Sequence, residues 1–360
     1  MIKDSCNNKC LNNNSCNKLN INKKKIEDMI EYNGISKNLP QNSTIFTQFT
    51  FNKTLCIPCE KPDIEKIVRL DTKITINDYK VIKTPVGTSL EGQTLTGCKL
   101  IVYGTIKQLV MYVANEIDQS VHSAHFEECF CKYIVLPNNF SKLTNLKVIP
   151  YIEDVTINES DSRCFCECIN IFLDTRLCAN CNRCNEVSCF EECTKSLGVS
   201  ENLPQNPLFF KELIIDDILC IPIEKPDIEG LISITSQVDI ISTKLICTEN
   251  KKSLEGQNLS GCKLIIEYKV KDLVVYTANE VTQPVHSAHY ESSLKSTFVV
   301  VPCEINGVNI QELLDECKLK INSYIEDICA KNKDRRTISR CLTLLIDVEP
   351  KCIKNAKKVK

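Results

Sequence analysis

The feature of this sequence that most constrains its fold is an internal repeat that covers most of the chain. Residues 34–42 (GISKNLPQN) recur at 198–206 (GVSENLPQN), and residues 89–100 (SLEGQTLTGCKL) recur at 253–264 (SLEGQNLSGCKL). Both pairs share one offset of 164 residues. Self-similarity at a fixed offset indicates one structural unit used twice, here named repeat one and repeat two. A unit of roughly 150 residues can bury a core of its own, so we expect each repeat to fold alone.

The register of the repeat shifts once, near the end of repeat two. Residues 151–154 (YIED) recur at 324–327, which is an offset of 173, so repeat two carries nine additional residues around 305–318. That segment has apolar residues at helical spacing and predicts a short surface helix. The predicted parts are a flexible Cys-containing N-terminal arm (1–22), a first β domain (23–176), a Cys-rich linker (177–195), a second β domain (196–350) and a basic C-terminal tail (351–360).

Within each repeat the apolar residues alternate as they do in β-strands. Residues 67–76 alternate in this way, and so do residues 99–113, where the central Gly104 and Thr105 predict a tight turn between two strands. The pair Glu91-Gly92 and its counterpart Glu255-Gly256 are expected to be turn residues too. The predicted fold is therefore all-β, with two tandem antiparallel β-sandwich-like domains.

Helical patterns are confined mainly to the approaches to the two domains. Residues 24–32 precede repeat one and residues 187–197 precede repeat two. Each domain is therefore predicted to be preceded by a short helix that packs on its sandwich.

Composition and charge argue against several classes of partner. A net charge of −2 with 25% charged residues gives no electrostatic reason to expect nucleic acid or an anionic membrane. No apolar run is long enough for a membrane-spanning helix, and the polar N-terminus lacks the apolar core of a signal peptide. We expect a protein made in a cytoplasmic compartment, with neither a nucleic-acid nor a membrane partner.

The cysteine content conflicts with a permanently reducing compartment. The chain has 24 cysteines, whereas cytosolic proteins are kept reduced and rarely need so many. Three explanations stay open: metal binding, redox chemistry, or a cytoplasm that later becomes oxidising.

All four histidines lie in two copies of one pentapeptide, VHSAH, at 121–125 and 285–289. In repeat one the pentapeptide is part of QSVHSAHFE (119–127). The segment YVANE (112–116) precedes it, and a short apolar run that ends in VLP follows it. This series resembles the signature of the SPOCS domain of spore coat and spore morphogenesis proteins from clostridial-type endospore formers. Repeat one departs from the signature at Asn115, and repeat two departs from it at Tyr290.

The resemblance implies a structural role and supplies no catalytic residues. It is nearest to the Cys-rich coat, exosporium and appendage proteins with paired SPOCS domains. It implies synthesis in the mother-cell cytoplasm and deposition on the spore surface. The expected partners are further copies of the chain and other spore coat proteins.

The histidines have a metal reading and a structural one. An HxxH pair can share an ion on a helix, but on a strand the two side chains point to opposite faces. Because the context is β, we predict structural histidines with hydrogen-bonded imidazoles, and neither a metal site nor a cofactor. These residues are His122, His125, His286 and His289.

Comparison of the repeats sorts the cysteines into two groups. The first group occupies equivalent positions, as buried small residues or as partners in internal disulfides: Cys56 and Cys220, Cys98 and Cys262, Cys168 and Cys341. The second group belongs to one repeat, the arm or the linker, so the shared fold does not require it. We identify these residues as candidates for cross-linking: Cys6, Cys10, Cys16, Cys164, Cys166, Cys178, Cys181, Cys184, Cys189 and Cys193.

The predicted function is that of a spore-surface building block that associates with itself and is cross-linked by intermolecular disulfides. Two alternatives stay open: a non-polymerising adaptor that binds other coat proteins, and a metal-binding or redox module at 178–193, where short thiolate spacing suits zinc or an iron–sulfur cluster. An enzyme is not expected, because the sequence has no glycine-rich phosphate loop, nucleophile elbow or zincin helix.

Overall fold

The described chain forms two compact units that do not coincide with the two repeats. A computed structural model describes residues 30–138, 140, 146–177 and 194–351. Of these, unit 1 contains 30–79, 102–134 and 146–177, and unit 2 contains the remainder. Residues 80–101 of repeat one therefore belong to unit 2.

Repeat one consists of seven strands. They are β1 (Glu31–Asn33), β2 (Phe46–Cys56), β3 (Ile64–Thr88), β4 (Thr94–Ala114), β5 (Val121–Val135), β6 (Leu146–Glu159) and β7 (Cys164–Leu177). They form a four-stranded sheet in the order β1-β3-β4-β5 and a three-stranded sheet in the order β2-β7-β6. Strands β2 and β6 each pair with β7 in antiparallel fashion, whereas the short β1 pairs with β3 in parallel.

Repeat two follows the same plan, with β12 and β13 in place of the single strand β5 and with three additions. Its elements are β8 (Lys195–Leu197), β9 (Phe210–Cys220), β10 (Ile228–Lys252), β11 (Asn258–Ala278), β12 (Val285–Glu291), β13 (Lys295–Pro302), β14 (Glu304–Ile305), β15 (Val308–Asn309), α1 (Ile310–Asp315), β16 (Leu319–Asn332) and β17 (Thr337–Pro350). The larger sheet has the order β12-β11-β10-β8, with β13 also paired to β11, and the smaller has the order β16-β17-β9. The additions are the short β14–β15 sheet and α1, which all lie in the inserted segment.

The core of unit 2 lies between its two sheets. Ile234 and Leu264 come from the larger sheet and Ile338 and Leu342 from the smaller, and all four are completely buried. Each such side chain stabilises the fold by roughly 1.5–3 kcal/mol relative to an exposed one. This arrangement confirms the all-β, sandwich-like fold class that the alternating pattern predicts.

The predicted surface helix is confirmed as α1. The side chain of Asn309 accepts a hydrogen bond from the backbone N–H of Gln311 at 2.8 Å, which caps the first turn. Ile310 and Leu313 are buried against the core, so one face of the helix packs while the other meets solvent.

The helices predicted before the two domains are not found in the described parts of those segments. Their ends form the strands β1 and β8, which pair in parallel with β3 and β10 over three residues each. Tertiary pairing thus overrides a weak helical pattern. Gly34 and Gly198 follow these strands with φ of 103° and 93°, and a Cβ on either would collide with the backbone carbonyl of Thr72 or Ser236.

The tight turn predicted at Gly104 is also wrong, because β4 runs through this position without interruption. The ring of Phe130 lies where a Cβ of residue 104 would stand. The glycine therefore admits a core aromatic side chain and does not bend the chain. The turns predicted at Gly92 and Gly256 are confirmed, with φ of 108° and 90°.

Candidate functional site

Both VHSAH segments lie on strands, at the start of β5 and of β12. His122 is partly buried, stacks on Tyr112 with ring centroids 5.9 Å apart, and its Nε2 lies 3.0 Å from Ser120 Oγ. His125, three residues further along, is exposed. The two imidazoles point to opposite faces, as the strand context predicts, and so cannot grip one ion together.

Repeat two reproduces this arrangement. His286 stacks on Tyr276 at 6.0 Å, and His289 is exposed. The shared feature is a packed aromatic–imidazole pair at the entry to a strand. The structural role of the four histidines stays a prediction.

Each repeat has an open groove beside its second histidine. The groove next to His125 has a volume of about 520 Å³, and the groove next to His289 has a volume of about 420 Å³. Glu127 pairs with Lys107 at 3.3 Å beside the first groove, and its counterpart Glu291 pairs with Lys269 at 2.5 Å beside the second. The two charges of each exposed pair neutralise each other. The residues that line the grooves do not place a nucleophile beside a general base.

The structure joins Cys56 and Cys164 in a disulfide across β2 and β7, with their Cα atoms 4.1 Å apart. In repeat two, Cys220 lies opposite Thr337, so this bridge has no counterpart there. Cys164 was a predicted cross-linking candidate, and its intramolecular bond removes it from the thiols available to another chain.

The neighbours of Cys164 on β7 follow the predicted alternation. Cys166 and Cys168 are partly exposed, whereas Phe165 and Glu167 between them are buried. Burial raises the pKa of the Cys168 thiol, and the nearby carboxylates of Asp154 and Glu167 raise it further. A raised pKa lowers the thiolate fraction, which makes Cys168 a slow nucleophile.

The equivalent pair Cys98 and Cys262 occupies different environments in the two repeats. Cys98 is partly exposed, and burial raises the pKa of its thiol. Cys262 is buried, and its pKa rises to about 12, first through burial and then through the neighbouring thiol of Cys303. Cys341, the counterpart of Cys168, is buried and already has an interaction of its own.

Three exposed cysteines were not singled out from the sequence as cross-linking candidates: Cys59, which already has an interaction of its own, and Cys247 and Cys317. Cys247 lies on β10, and Cys317 follows α1 at a φ of 53°. Cys247 has Lys83 as its counterpart in repeat one, and Cys317 lies in the inserted segment. The absence of a cysteine at the equivalent position was the sequence signal that could have identified both. The remaining predicted cross-linking cysteines, in the arm and in 178–193, lie outside the described residues.

Sequence reasoning also missed a buried ionic cluster in unit 2. The hairpin between β3 and β4 ends in a segment, residues 80–101, which we name tip 1. Lys99 in tip 1 is completely buried, and its Nζ contacts the carboxylates of both Glu212 and Glu326. Burial lowers the pKa of Lys99, and Glu326 opposes that shift. A buried amine is tolerated only when it is paired in this way.

Further contacts hold tip 1 on the sheet β16-β17-β9. Thr84 Oγ1 donates to Glu326 Oε1 at 3.1 Å, and Lys80 Nζ lies 2.7 Å from Asp327. Leu95 packs with Phe210 and Leu345 in a buried cluster that Tyr324 borders. We name the receiving surface face 2, which consists of Phe210, Glu212, Tyr324, Glu326 and Leu345.

The comparison with known families bears on the first repeat. Residues 63–159 match the family model described as "SipL, SPOCS domain". The match spans the VHSAH segment of repeat one and supports the SPOCS resemblance for this region. It indicates a spore-related protein.

Other comparisons add no argument. No curated protein matches the chain. One solved structure, titled "Crystal structure of lipopolysaccharide binding protein", is 6% identical over 84% of this chain and 92% of that chain, with a TM-score of 0.10. Among the described residues, no helix is long and apolar enough to cross a membrane.

Proposed function

We propose that this chain is a structural protein of the spore surface, in the coat, the exosporium or an appendage, which associates with itself and is then cross-linked by disulfides. The match of residues 63–159 to a SPOCS domain supports the spore-related role. The second repeat is proposed to be a further SPOCS domain, because it carries the same peptides and a matching strand plan. Other spore coat proteins are proposed as additional partners.

The observation that carries the cross-linking proposal is the exposure of Cys247 and Cys317 at positions where repeat one has no cysteine. A thiol that the shared fold does not need, and that solvent reaches, is available to a neighbouring molecule. When two such thiols join, one S–S bond forms, both S–H bonds break, and two protons and two electrons pass to an oxidant such as dioxygen or a small disulfide. Synthesis in the reducing mother cell and oxidation after its lysis would separate assembly from cross-linking.

The test compares the purified chain before and after oxidation. Protein prepared with a reductant is transferred to air or treated with a small disulfide, boiled in detergent without reductant, and separated on a gel. We expect a ladder of covalent oligomers that collapses to the monomer when a reductant is added. A monomer that persists after oxidation would overturn the proposal and favour the non-polymerising adaptor.

Variants assign the reaction to particular thiols. Cys247→Ser/Cys317→Ser should weaken the ladder, whereas the matched Cys168→Ser, at a partly buried thiol with a raised pKa, should leave it intact. The triple change Cys6→Ser/Cys10→Ser/Cys16→Ser measures the share of the N-terminal arm. Metal analysis of anaerobically purified protein tests the alternative module at 178–193, because one bound zinc or iron–sulfur cluster per chain would favour it.

A further inference from the structure

We propose that residues 244–265 of one molecule dock on the outer sheet of a second copy of the chain, in the way that tip 1 docks on face 2 within unit 2. We name this segment tip 2, because it is the equivalent of tip 1 in repeat two. The receiving surface, face 1, is the equivalent of face 2 and consists of Phe46, Gln48, Tyr151, Glu153 and Phe172. The inference rests on the proposed self-association and assigns it to two named surfaces.

Face 1 exposes to solvent an aromatic side chain whose equivalent in face 2 is buried. Phe46 is 46% exposed, whereas its equivalent, Phe210, is 0% exposed. The ring of Phe46 stacks on Phe172 with centroids 4.8 Å apart, and Tyr151 meets Phe172 edge-on at 6.4 Å. Three aromatic side chains thus form a partly exposed cluster on the surface of the sheet β2-β7-β6, and exposed aromatic clusters favour protein–protein contacts.

The polar centre of face 1 also lacks the ion that fills face 2. Gln48 and Glu153 are the counterparts of Glu212 and Glu326, and Gln48 Nε2 donates to Glu153 Oε2 at 2.6 Å. In face 2 the two equivalent side chains contact the amine of Lys99 instead. The amide of Gln48 and the carboxylate of Glu153 are therefore positioned to receive an ammonium group. The single negative charge of Glu153 would neutralise the positive charge of that group.

Tip 2 carries the matching groups and exposes them. Lys263 is the equivalent of Lys99 and is only partly buried, with its Nζ 4.3 Å from the ring centroid of Phe298. Leu254 is 109% exposed, whereas its equivalent in tip 1, Leu90, is partly buried. Glu255 is exposed, whereas Glu91 is buried.

One hydroxyl group of tip 2 lacks its hydrogen-bond partner. Thr84 Oγ1 of tip 1 donates to the buried carboxylate of Glu326. The equivalent atom, Thr248 Oγ1, is buried from solvent and makes no hydrogen bond. Rotation of the Thr248 side chain on docking would turn this hydroxyl toward the counterpart of Glu326 in face 1, which is Glu153. A buried hydroxyl that lacks a partner destabilises the free molecule, so the new hydrogen bond would favour the docked state.

Each contact that tip 1 makes with face 2 has an equivalent pair of residues in tip 2 and face 1. Lys263 would meet Glu153 and Gln48, and Lys244 would meet Asp154 as Lys80 meets Asp327. Leu259, the equivalent of Leu95, would enter the cluster of Phe46, Tyr151 and Phe172 as Leu95 enters that of Phe210, Leu345 and Tyr324. Both lysines of tip 2 in this contact, Lys263 and Lys244, would therefore face a carboxylate.

Tip 2 is also held in a fixed conformation before any docking. The backbone N–H of Asn258 donates to the carbonyl of Glu91 at 2.7 Å, and Gln257 Nε2 donates to the carboxylate of Glu91 at 2.9 Å. These bonds join the turn of tip 2 to tip 1 within unit 2. A preorganised surface loses less conformational entropy on binding, which favours association.

The contact would be heterologous, because tip 2 and face 1 are different surfaces. Each molecule that adds by its tip leaves its own face 1 for the next, so growth continues until a ring closes or a filament forms. Cys247 lies on tip 2, so docking would bring an exposed thiol to each junction. Non-covalent docking would then come first and oxidation would fix it.

The experiment measures association of the full chain by sedimentation velocity in the presence of a reductant, so that disulfides play no part. Wild-type protein should form larger species as its concentration rises. Lys263→Glu removes one partner of the interfacial ion pair and should weaken association roughly 100-fold, as expected for the loss of a buried charge partner. The matched control Lys269→Glu, on the same strand but outside tip 2, should assemble as wild type does.

Complementary variants make the assignment specific. Lys263→Glu keeps an intact face 1, and Glu153→Lys keeps an intact tip 2, so each alone should stay monomeric because like charges meet at its contact. An equimolar mixture should polymerise with the two variants alternating, because each tip then meets a face of opposite charge. The double variant Lys263→Glu/Glu153→Lys restores opposite charges and should polymerise again. Thermal unfolding of every variant should match that of the wild type, because both positions are accessible to solvent.

The outcomes separate this inference from the proposed function. If the reduced protein stays monomeric, or if Lys263→Glu assembles as wild type does, the docking of tip 2 on face 1 is wrong. If oxidation still produces a covalent ladder in that case, the cross-linked building block stands without it. Assembly under reductant with no ladder after oxidation would support the docking and overturn the cross-linking.

Discussion

Tip 1 and tip 2 share most of their sequence, including SLEGQ and GCKLI, yet they lie in opposite environments. Lys99 is completely buried between two carboxylates, whereas Lys263 lies beside a phenylalanine ring at the surface. The difference arises because tip 1 has an acceptor sheet within unit 2, and the described part of the chain buries no second tip in the same way. One sequence therefore serves as core or as surface according to what packs against it.

The largest expected difference between the tips concerns their lysines. Lys99→Ala leaves Glu212 and Glu326 buried without a cation, which should lower the free energy of unfolding by about 4 kcal/mol. Lys263→Ala should lower it by less than about 1 kcal/mol, because the group is partly solvated. Denaturant unfolding at pH 7 measures both. Equal effects would mean that the burial of Lys99 contributes nothing to stability.

The next difference concerns the aromatic side chains of the two faces. Phe210→Ala opens a cavity under tip 1 and should lower the free energy of unfolding by about 3 kcal/mol. Phe46→Ala removes a side chain that is already half exposed and should cost about 1 kcal/mol or less. Denaturant titration of the reduced monomer compares them. A large loss with Phe46→Ala would show that face 1 is covered in the isolated molecule.

The disulfide gives a third contrast. Cys56→Ser breaks the bridge to Cys164, which closes a loop with a sequence separation of 108, and should destabilise unit 1 by about 2 to 3 kcal/mol. The matched change Cys220→Ser in repeat two should cost about 1 kcal/mol or less. Thermal unfolding with and without a reductant checks the assignment. The reductant should destabilise the Cys56→Ser variant less than it destabilises the wild type, because other cysteines, Cys131 and Cys341, are also disulfide-bonded. An unchanged sensitivity would place the stabilising bridge elsewhere.

The smallest effect depends on pH and distinguishes two equivalent buried positions. Burial raises the pKa of Glu167 to about 7, and its Oε1 makes no hydrogen bond, whereas repeat two has Arg340 at this position, paired with Asp217 and Asp272. The folded state therefore binds this proton more tightly than the unfolded state does. Stability should fall as the pH rises from about 4.5 through about 7, and then become level.

Glu167→Gln should remove this part of the pH dependence and raise the free energy of unfolding at pH 8 by about 2 kcal/mol. Unfolding free energies at pH 5 and pH 8 provide the measurement, with Glu127→Gln as an exposed control on β5. A wild-type stability that is equal at both pH values would show that the Glu167 carboxyl titrates normally.

The sequence could predict the parts of the fold that depend on local pattern. Alternating β-branched residues predict strands, glycines after glutamate predict the turns at Gly92 and Gly256, and helical spacing in the insertion predicts α1. The repeat itself indicates the matching strand plan of the two halves. These features depend on neighbours within a few residues, and such neighbours can be read directly.

Other features depend on residues that are distant in sequence. A lysine is rarely buried, and nothing in the sequence around Lys99 indicates that it is. Its burial depends on the carboxylate of Glu326, which lies 227 residues away in the sequence. The choice of Cys164 as the partner of Cys56 is a cross-strand register between β2 and β7. The pattern around Gly104 is compatible with a turn until Phe130 occupies the space.

The sequence by itself determined that this chain repeats one β unit and carries far more cysteines than that unit requires. Tertiary structure alone decided which copy of the hairpin tip is buried and which thiols remain exposed. The physical reason is that a residue is buried only when a second surface packs against it, and that surface comes from residues distant in the sequence. Two identical peptides differ in free energy only through what covers each of them.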